Sequence, residues 1–296
     1  MAMTENTRGA MFMALAMASF TINDALVKSV TPFMNTGQIM FVRGVMTTVM
    51  IIALAKYFGA LRPIKTLFRP LVLLRTVSEI TATVLFLTAL GQVEFASISS
   101  IMQSLPLVVT LGAALFLGEP VGWRRWVAIG IGFAGVLIII RPGSEGFTTG
   151  ALLAIASVFV TACRDLVTRR MYADVPSLTI SMFTATANTA FGALLIVPMG
   201  GWQPMEWSVI GHLAVASILV LSGYQTVIFA MRSGEISFVA PFRYTSLLWA
   251  LMIGILVFQE KPDIWTLIGA AIVIASGIYT FYRERRRYLM KSAKDS

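Results

Sequence analysis

Apolar residues in this chain come in long unbroken runs, not in the alternating or one-faced patterns of soluble strands and helices. Ten such runs can be marked, at about 9–28, 36–57, 70–90, 96–117, 123–140, 150–169, 177–198, 208–231, 237–258 and 264–282. Each approaches the roughly 20 residues that a helix needs to cross a bilayer. The connectors are short and leave no room for a soluble domain of any size.

The runs repeat. GAMFMALAMASFTINDALVK, from Gly9 to Lys28, returns 141 residues later as GALLAIASVFVTACRDLVTR, from Gly150 to Arg169. The offset pairs Asp24 with Asp165, Lys28 with Arg169, Ala89 with Ala230, Glu94 with Glu235 and Glu119 with Glu260. It then grows by one residue, pairing Pro120 with Pro262, Trp123 with Trp265, Gly135 with Gly277 and Arg141 with Arg283. This is the mark of one unit duplicated and fused, giving a first repeat at 1–141, a second at 142–282 and a basic tail at 283–296. The repeat also settles the start of the chain, where Ala16-Met17-Ala18 imitates a signal-peptide cleavage site. The same run recurs at 150, where it must be a retained helix. Five helices per unit is an odd number, so the second unit enters the membrane upside down, as in secondary transporters with inverted repeats. The predicted fold is therefore an all-α polytopic membrane protein. It has ten transmembrane helices in two inverted-topology five-helix repeats, with both termini cytoplasmic.

Composition agrees: 57% of residues are hydrophobic, 12% are charged, and the mean hydropathy is +0.81, against about 25% charged in a soluble domain. The net charge of +9 reflects topology, not a nucleic-acid footprint. With the N-terminus inside, sixteen of the 23 basic residues fall in inner segments and only Lys28, Arg141 and Lys261 in outer ones, which is the positive-inside bias. The RERRR run from Arg283 anchors the inner end or touches anionic lipid. Cys163 is the single cysteine and His212 the single histidine, with no acidic or thiol neighbour in sequence. Disulfides, metal sites, cofactors and intramembrane enzyme chemistry are set aside accordingly. A GxGxxG string, GIGFAG at 130–135, lies in the middle of a run, where backbone N–H groups are already bonded. It reads as small residues for close helix packing, not as a dinucleotide fingerprint.

Charges inside the runs are the candidate chemistry. An ionisable group at the bilayer centre costs at least ~2.5 kcal/mol on insertion scales and so faces protein or a water-filled cavity. Arg43 lies about 10 Å below the outer end of run 2, and Asp24 lies slightly shallower on run 1. The two form either a structural ion pair closing the outer end or an outer gate that breaks and reforms. Arg164 and Asp165 are placed near the inner end of run 6, while Thr184 stands where Arg43 stands in the other repeat, so the inner end is expected to close with different chemistry. Arg75 and Glu79 share one face of run 3, with Glu79 about 13–15 Å in. Glu79 is either neutralised by Arg75 or engaged with a substrate or proton. Ser99, Gln103, Pro106 and Thr110 make a polar stripe on run 4. By the offset, Tyr244 of run 9 matches Gln103 and Arg243 matches Met102. Tyr224 and Trp249 either add an aromatic lining or serve as packing. The predicted substrate-binding set is Glu79, Gln103, Tyr224, Arg243, Tyr244 and Trp249; the predicted gate set is Asp24, Arg43, Arg164 and Asp165.

LFLGEPVGWRRW after run 4, its echo VFQEKPDIW after run 9, and the openings FTINDALVK and GQIMFVRG resemble the drug/metabolite transporter superfamily, most closely its EamA-type bacterial members, over about residues 9–282. The resemblance implies a central cavity lined by helices 1, 3, 4, 6, 8 and 9, with helices 5 and 10 outside it as packing or homodimer surfaces. Members of that group export amino acids or take up metabolites such as riboflavin or S-adenosylmethionine. The expected activity is secondary active transport of a small organic metabolite by alternating access in the inner membrane. The first expectation is an amino acid exporter, aromatic cargo included, and the alternative is an uptake carrier of the riboflavin or S-adenosylmethionine type. The bilayer and a small-molecule substrate are the expected partners.

Single cysteines at Lys65 and Lys294, in a Cys163→Ala background, should be shielded from an impermeant thiol reagent in intact cells, and one at Glu145 should be labelled. Labelling at Lys294 with Lys65 still shielded would mean an odd helix count and would remove the inverted repeat.

Overall fold

A computed structural model describes residues 5–57, 69–119, 121–141, 148–171, 177–233 and 236–292. Lys65, Pro120, Glu145, Glu235 and Lys294, and the junction at 142 between the expected repeats, lie outside the described residues. The chain forms α1 (Glu5–Val30), α2 (Thr36–Tyr57), α3 (Pro70–Leu90), α4 (Phe95–Met102), α5 (Leu105–Phe116), α6 (Trp123–Ile140), α7 (Thr149–Arg169), α8 (Ser177–Ile196) and α9 (Trp207–Ser233). It ends with α10 (Ile236–Val239), a 3-10 turn (Ala240–Tyr244), α11 (Thr245–Leu256) and α12 (Ile264–Ser292). Among the described residues nine helical stretches are long and apolar enough to cross a membrane, and a shorter tenth covers Ala240–Leu256. α12 continues past Arg283 into the basic segment as far as Ser292.

Two of the ten runs are interrupted in mid-span, and the interruptions correspond. The fourth run breaks between α4 and α5 at Gln103 and Ser104, just ahead of Pro106 in the first turn of α5. Proline lacks an N–H and crowds the carbonyl four residues back. The backbone answers by tightening, with Gln103 N–H donating to Ser99 O and Ser100 O, and Ser104 N–H to Ile101 O. The ninth run breaks at the 3-10 turn that carries Pro241. Irregular backbone at membrane depth is tolerated where protein covers it or where it lines a cavity.

Helices pair across the two halves of the chain. α1 packs on α9, α2 on α8, α3 on α7, α4 on α11 and α6 on α12. Exchanging the halves turns the α1–α9 contact into the α7–α3 contact and maps the α2–α8 and α6–α12 contacts onto themselves. The duplication is therefore visible in the packing as well as in the sequence. Apolar side chains such as Phe116, Leu194, Leu256 and Trp123 stand exposed on the outside, the surface that lipid covers.

α6 and α12 form the flank. A Cβ on Gly135 would lie 2.9 Å from Gly269 O, and one on Gly269 would lie 2.5 Å from Gly135 O, so the two backbones touch. Gly130, in the same GIGFAG string, has no such neighbour within 4 Å. Gly269→Leu should therefore overpack the seam and destabilise the detergent-solubilised protein by about 1–3 kcal/mol, while Gly130→Leu should leave the thermal midpoint unchanged. Equal midpoints for the two variants would contradict the seam.

Candidate functional site

The charges inside the spans gather on α3 and α7. Arg164 donates from Nη1 to Glu79 Oε2 at 3.0 Å, and from Nε and Nη2 to Asp165 Oδ1 at 2.9 and 2.7 Å. Glu79 thus pairs with Arg164 across the α3–α7 contact rather than with Arg75 on its own helix. Sequence reading placed Glu79 in the substrate set and Arg164 in the gate set; the structure makes them one group. Sequence spacing could suggest the Arg75–Glu79 pair but could not rank it against a partner 85 residues away. The side chains of Arg164, Glu79 and Asp165 keep 22%, 24% and 36% of their surface accessible. A sealed ion pair would keep far less, so the group borders open space.

Arg75 turns instead to α8 and donates from Nη1 to Thr184 Oγ1 at 2.8 Å. Arg43 and Asp24 lie within electrostatic reach of each other, but no ion pair within 4.0 Å joins them among the described residues. Asp24 Oδ1 accepts from Asn23 Nδ2 at 2.8 Å. Tyr224 of α9 lies within electrostatic reach of Glu79, Arg164, Arg43 and Arg75. Its ring meets Phe20 edge-on at 5.2 Å.

The remaining sequence candidates scatter. Gln103 donates from Nε2 to Ser246 Oγ at 2.5 Å and ties the two helix breaks together. Trp249 packs against the buried cluster of Met13, Ala16, Met17, Ala230 and Val239, against which Phe20 also packs, and its indole N–H is buried without a hydrogen-bond partner among the described residues. Arg243 is exposed on the 3-10 turn and makes no ion pair with Glu79 among the described residues. Tyr244 departs from expectation. It is 5% exposed, and its hydroxyl end abuts Gly277 of α12, so the ring fills the α12 seam instead of extending the polar stripe. A 3-10 turn advances about 120° per residue where an α-helix advances 100°, and this rotates the residue off the stripe that α-helical spacing assigns to it.

Ion pairs missed in the sequence stand at the two ends. Lys28 Nζ lies 3.7 Å from Glu260 Oε1 and donates to Leu90 O and Val93 O at 3.2 and 2.5 Å. Glu260 accepts from the N–H groups of Phe95 and Ala96 at 2.7 and 3.2 Å, capping α4. At the other end Arg169 Nη1 lies 3.1 Å from Glu119 Oε1. The repeat offset pairs Lys28 with Arg169 and Glu260 with Glu119, so these are one interaction seen twice. Their burial differs: 15% and 9% accessible for Lys28 and Glu260, against 52% and 46% for Arg169 and Glu119. Two apolar cavities, of about 430 Å³ between α6 and α12 and about 290 Å³ among α4 to α7, lie away from the charged group.

The EamA-like transporter family model matches the chain twice, over residues 7–141 and 148–282. Among curated relatives, the S-adenosylmethionine uptake transporter of Rickettsia conorii is 24% identical over 92% of both chains. The riboflavin transporter of Vibrio cholerae is 27% identical over 91% of both. The pseudopaline exporter of Pseudomonas aeruginosa strain UCBPP-PA14 is 24% identical over 91% of this chain and 94% of its own. A solved crystal structure superposes with a TM-score of 0.64 over 95% of this chain and 98% of the other, at 17% identity, a likeness of fold.

A double-mutant cycle on thermal stability should show Glu79 coupled to Arg164 by about 0.5–3 kcal/mol, using Glu79→Gln and Arg164→Gln. The cycle of Glu79→Gln with Arg75→Gln should give a smaller value. The reverse order would return Glu79 to its neighbour on α3.

Proposed function

The chain belongs to the EamA-like transporter family, and from that premise we propose that it carries a small zwitterionic metabolite, an amino acid first, across the inner membrane by alternating access. Members of the family and the named relatives are transporters of small molecules, not enzymes. The relatives differ in cargo and direction, so membership alone assigns neither.

The observation that carries alternating access is the unequal closure of the two ends. The same pair of positions closes both, but Lys28–Glu260 is buried and braced by four further hydrogen bonds, while Arg169–Glu119 stands half in water. An exposed ion pair contributes only about 0–1 kcal/mol and opens readily. A protein that makes one pair while loosening its mate, then reverses, exposes the charged group between them to each side in turn. The positive-inside count puts the weaker end at the cytoplasm, where cargo would load, and for that reason we read export ahead of uptake.

Glu79, Tyr224 and Trp249 are the residues we assign to cargo, with Phe20 completing an aromatic wall. Gln103 holds the two breaks in register beside it, and Arg243 flanks the break in the second half. The three arginines and three carboxylates of the central group balance, which suits a cargo that brings one charge of each sign. A second reading, uptake of a larger metabolite of the riboflavin or S-adenosylmethionine type, is favoured by the names of the relatives. A homodimer through α6 and α12 would cover the apolar groove between them.

Proteoliposomes loaded separately with phenylalanine, leucine, riboflavin and S-adenosylmethionine decide between the readings through counterflow of labelled cargo. Exchange of the amino acids alone supports the first, exchange of riboflavin or S-adenosylmethionine alone supports the second, and inertness toward all four would sink both. Lys28→Met should raise thiol labelling of a cysteine placed at Ser29 several-fold from the outer side. Arg169→Met should change it little, and the opposite pattern would exchange the tight and loose ends.

A further inference from the structure

Two arginines within the spans lack the partners that hold the third. Arg164 is engaged by Glu79 and Asp165. A guanidinium carries five N–H donors and no acceptor. Among the described residues the Arg43 guanidinium uses none of them in a hydrogen bond, and Arg75 uses one, toward Thr184. Neither contributes a nitrogen that is both fully buried and unpartnered, so the free N–H groups of both open onto accessible space. The carboxylates that could have filled them are otherwise bonded: Glu79 and Asp165 to Arg164, Asp24 to Asn23. At membrane depth such a cation persists only where water or an anion reaches it.

Their placement follows the repeat. Thr184 stands at the position of Arg43 in the other half, and Arg75 reaches across from α3 to that same residue. Both equivalent places are thus met by a guanidinium, each supplied by the first half: Arg43 of α2 at its own position and Arg75 of α3 at Thr184 of the second half. Arg43 lies within electrostatic reach of Asp24, and Arg75 within reach of Asp165, the two aspartates that the offset also pairs. Tyr224 lies within electrostatic reach of both arginines, is 55% exposed, and has no hydrogen bond to its hydroxyl among the described residues.

We infer that Arg43 and Arg75 are paired receptors for an anionic group of the cargo, a carboxylate or an oxyanion of like geometry, one beside each of the two repeat-related aspartates, with Tyr224 in reach of both. The planar guanidinium fork matches the two oxygens of a carboxylate. A cargo handed from one receptor to the other has the Tyr224 hydroxyl in reach as a further donor to the anion. The inference rests on the transporter reading and narrows it: the cargo carries a negative group, met by the two arginines that stay open while Arg164 is committed to Glu79 and Asp165.

The test is arginine modification of the purified full-length protein with phenylglyoxal, read by peptide mass spectrometry. Phenylacetate and phenethylamine serve as anionic and cationic probes of one shape, and potassium chloride as the ionic-strength control. Arg43 and Arg75 should react faster than Arg164. Phenylacetate should slow both, phenethylamine and chloride neither, and Tyr224→Phe should weaken the protection by about tenfold. Protection by phenylacetate no better than by chloride, or Arg164 reacting as fast as the other two, would overturn the assignment. Amino acid counterflow that continues with both arginines unprotected would overturn this assignment alone and leave the transporter reading standing. Its absence together with failed protection would remove both.

Discussion

Everything in this molecule answers to the expense of charge and open backbone in a hydrocarbon medium. Three arginines and three carboxylates stand inside helices that are otherwise apolar, and a bilayer offers them no water of its own. They are tolerable because they converge on α3, α7 and the neighbouring α1 and α2, where opposite charges stand within reach of one another and the Glu79–Arg164–Asp165 group borders accessible space. The same rule applies to the main chain. Where Pro106 and Pro241 interrupt their helices, the breaks lie beside each other and are joined through Gln103 and Ser246. Charge and irregular backbone are thus confined to the interior, and the exterior is left to leucine, phenylalanine and tryptophan.

Packing across the halves makes that interior possible. The main helix contacts join one repeat to the other, so neither half would bury its polar residues alone. The α6–α12 seam is different in kind. There glycine backbones meet directly, no charge is involved, and the contact braces the flank while the centre keeps its polar groups.

Much of this was legible before any coordinates. Run length and the 141-residue offset are long-range statistics of the sequence, and they gave the number of apolar helices and the duplication; the mid-span breaks at Gln103 and in the 3-10 turn came only with the structure. Side-chain partners were another matter. Helical spacing suggested Arg75 for Glu79 because it sees only neighbours four residues apart; Arg164 comes from a helix whose rotation no local pattern encodes. Tyr244 was assigned by α-helical phase through a segment that winds as a 3-10 turn. The Lys28–Glu260 and Arg169–Glu119 pairs had been aligned position by position, yet the alignment says which residues are equivalent and not which ones touch. Applying the offset to contacts rather than to residues was the signal that could have found them.

Fusing the two units into one chain has a further consequence for the pairs at the ends. Had the unit remained a single gene whose products assembled head to tail, symmetry would force both ends to be closed by identical residues. The states open to either side would then be degenerate in energy. One polypeptide removes that degeneracy, because each copy can drift on its own: lysine at one end, arginine at the other, with the first pair far more deeply buried than the second. Ends closed by unlike pairs need not be equal in energy, and substitutions at either pair can change that difference one residue at a time without touching the central charges.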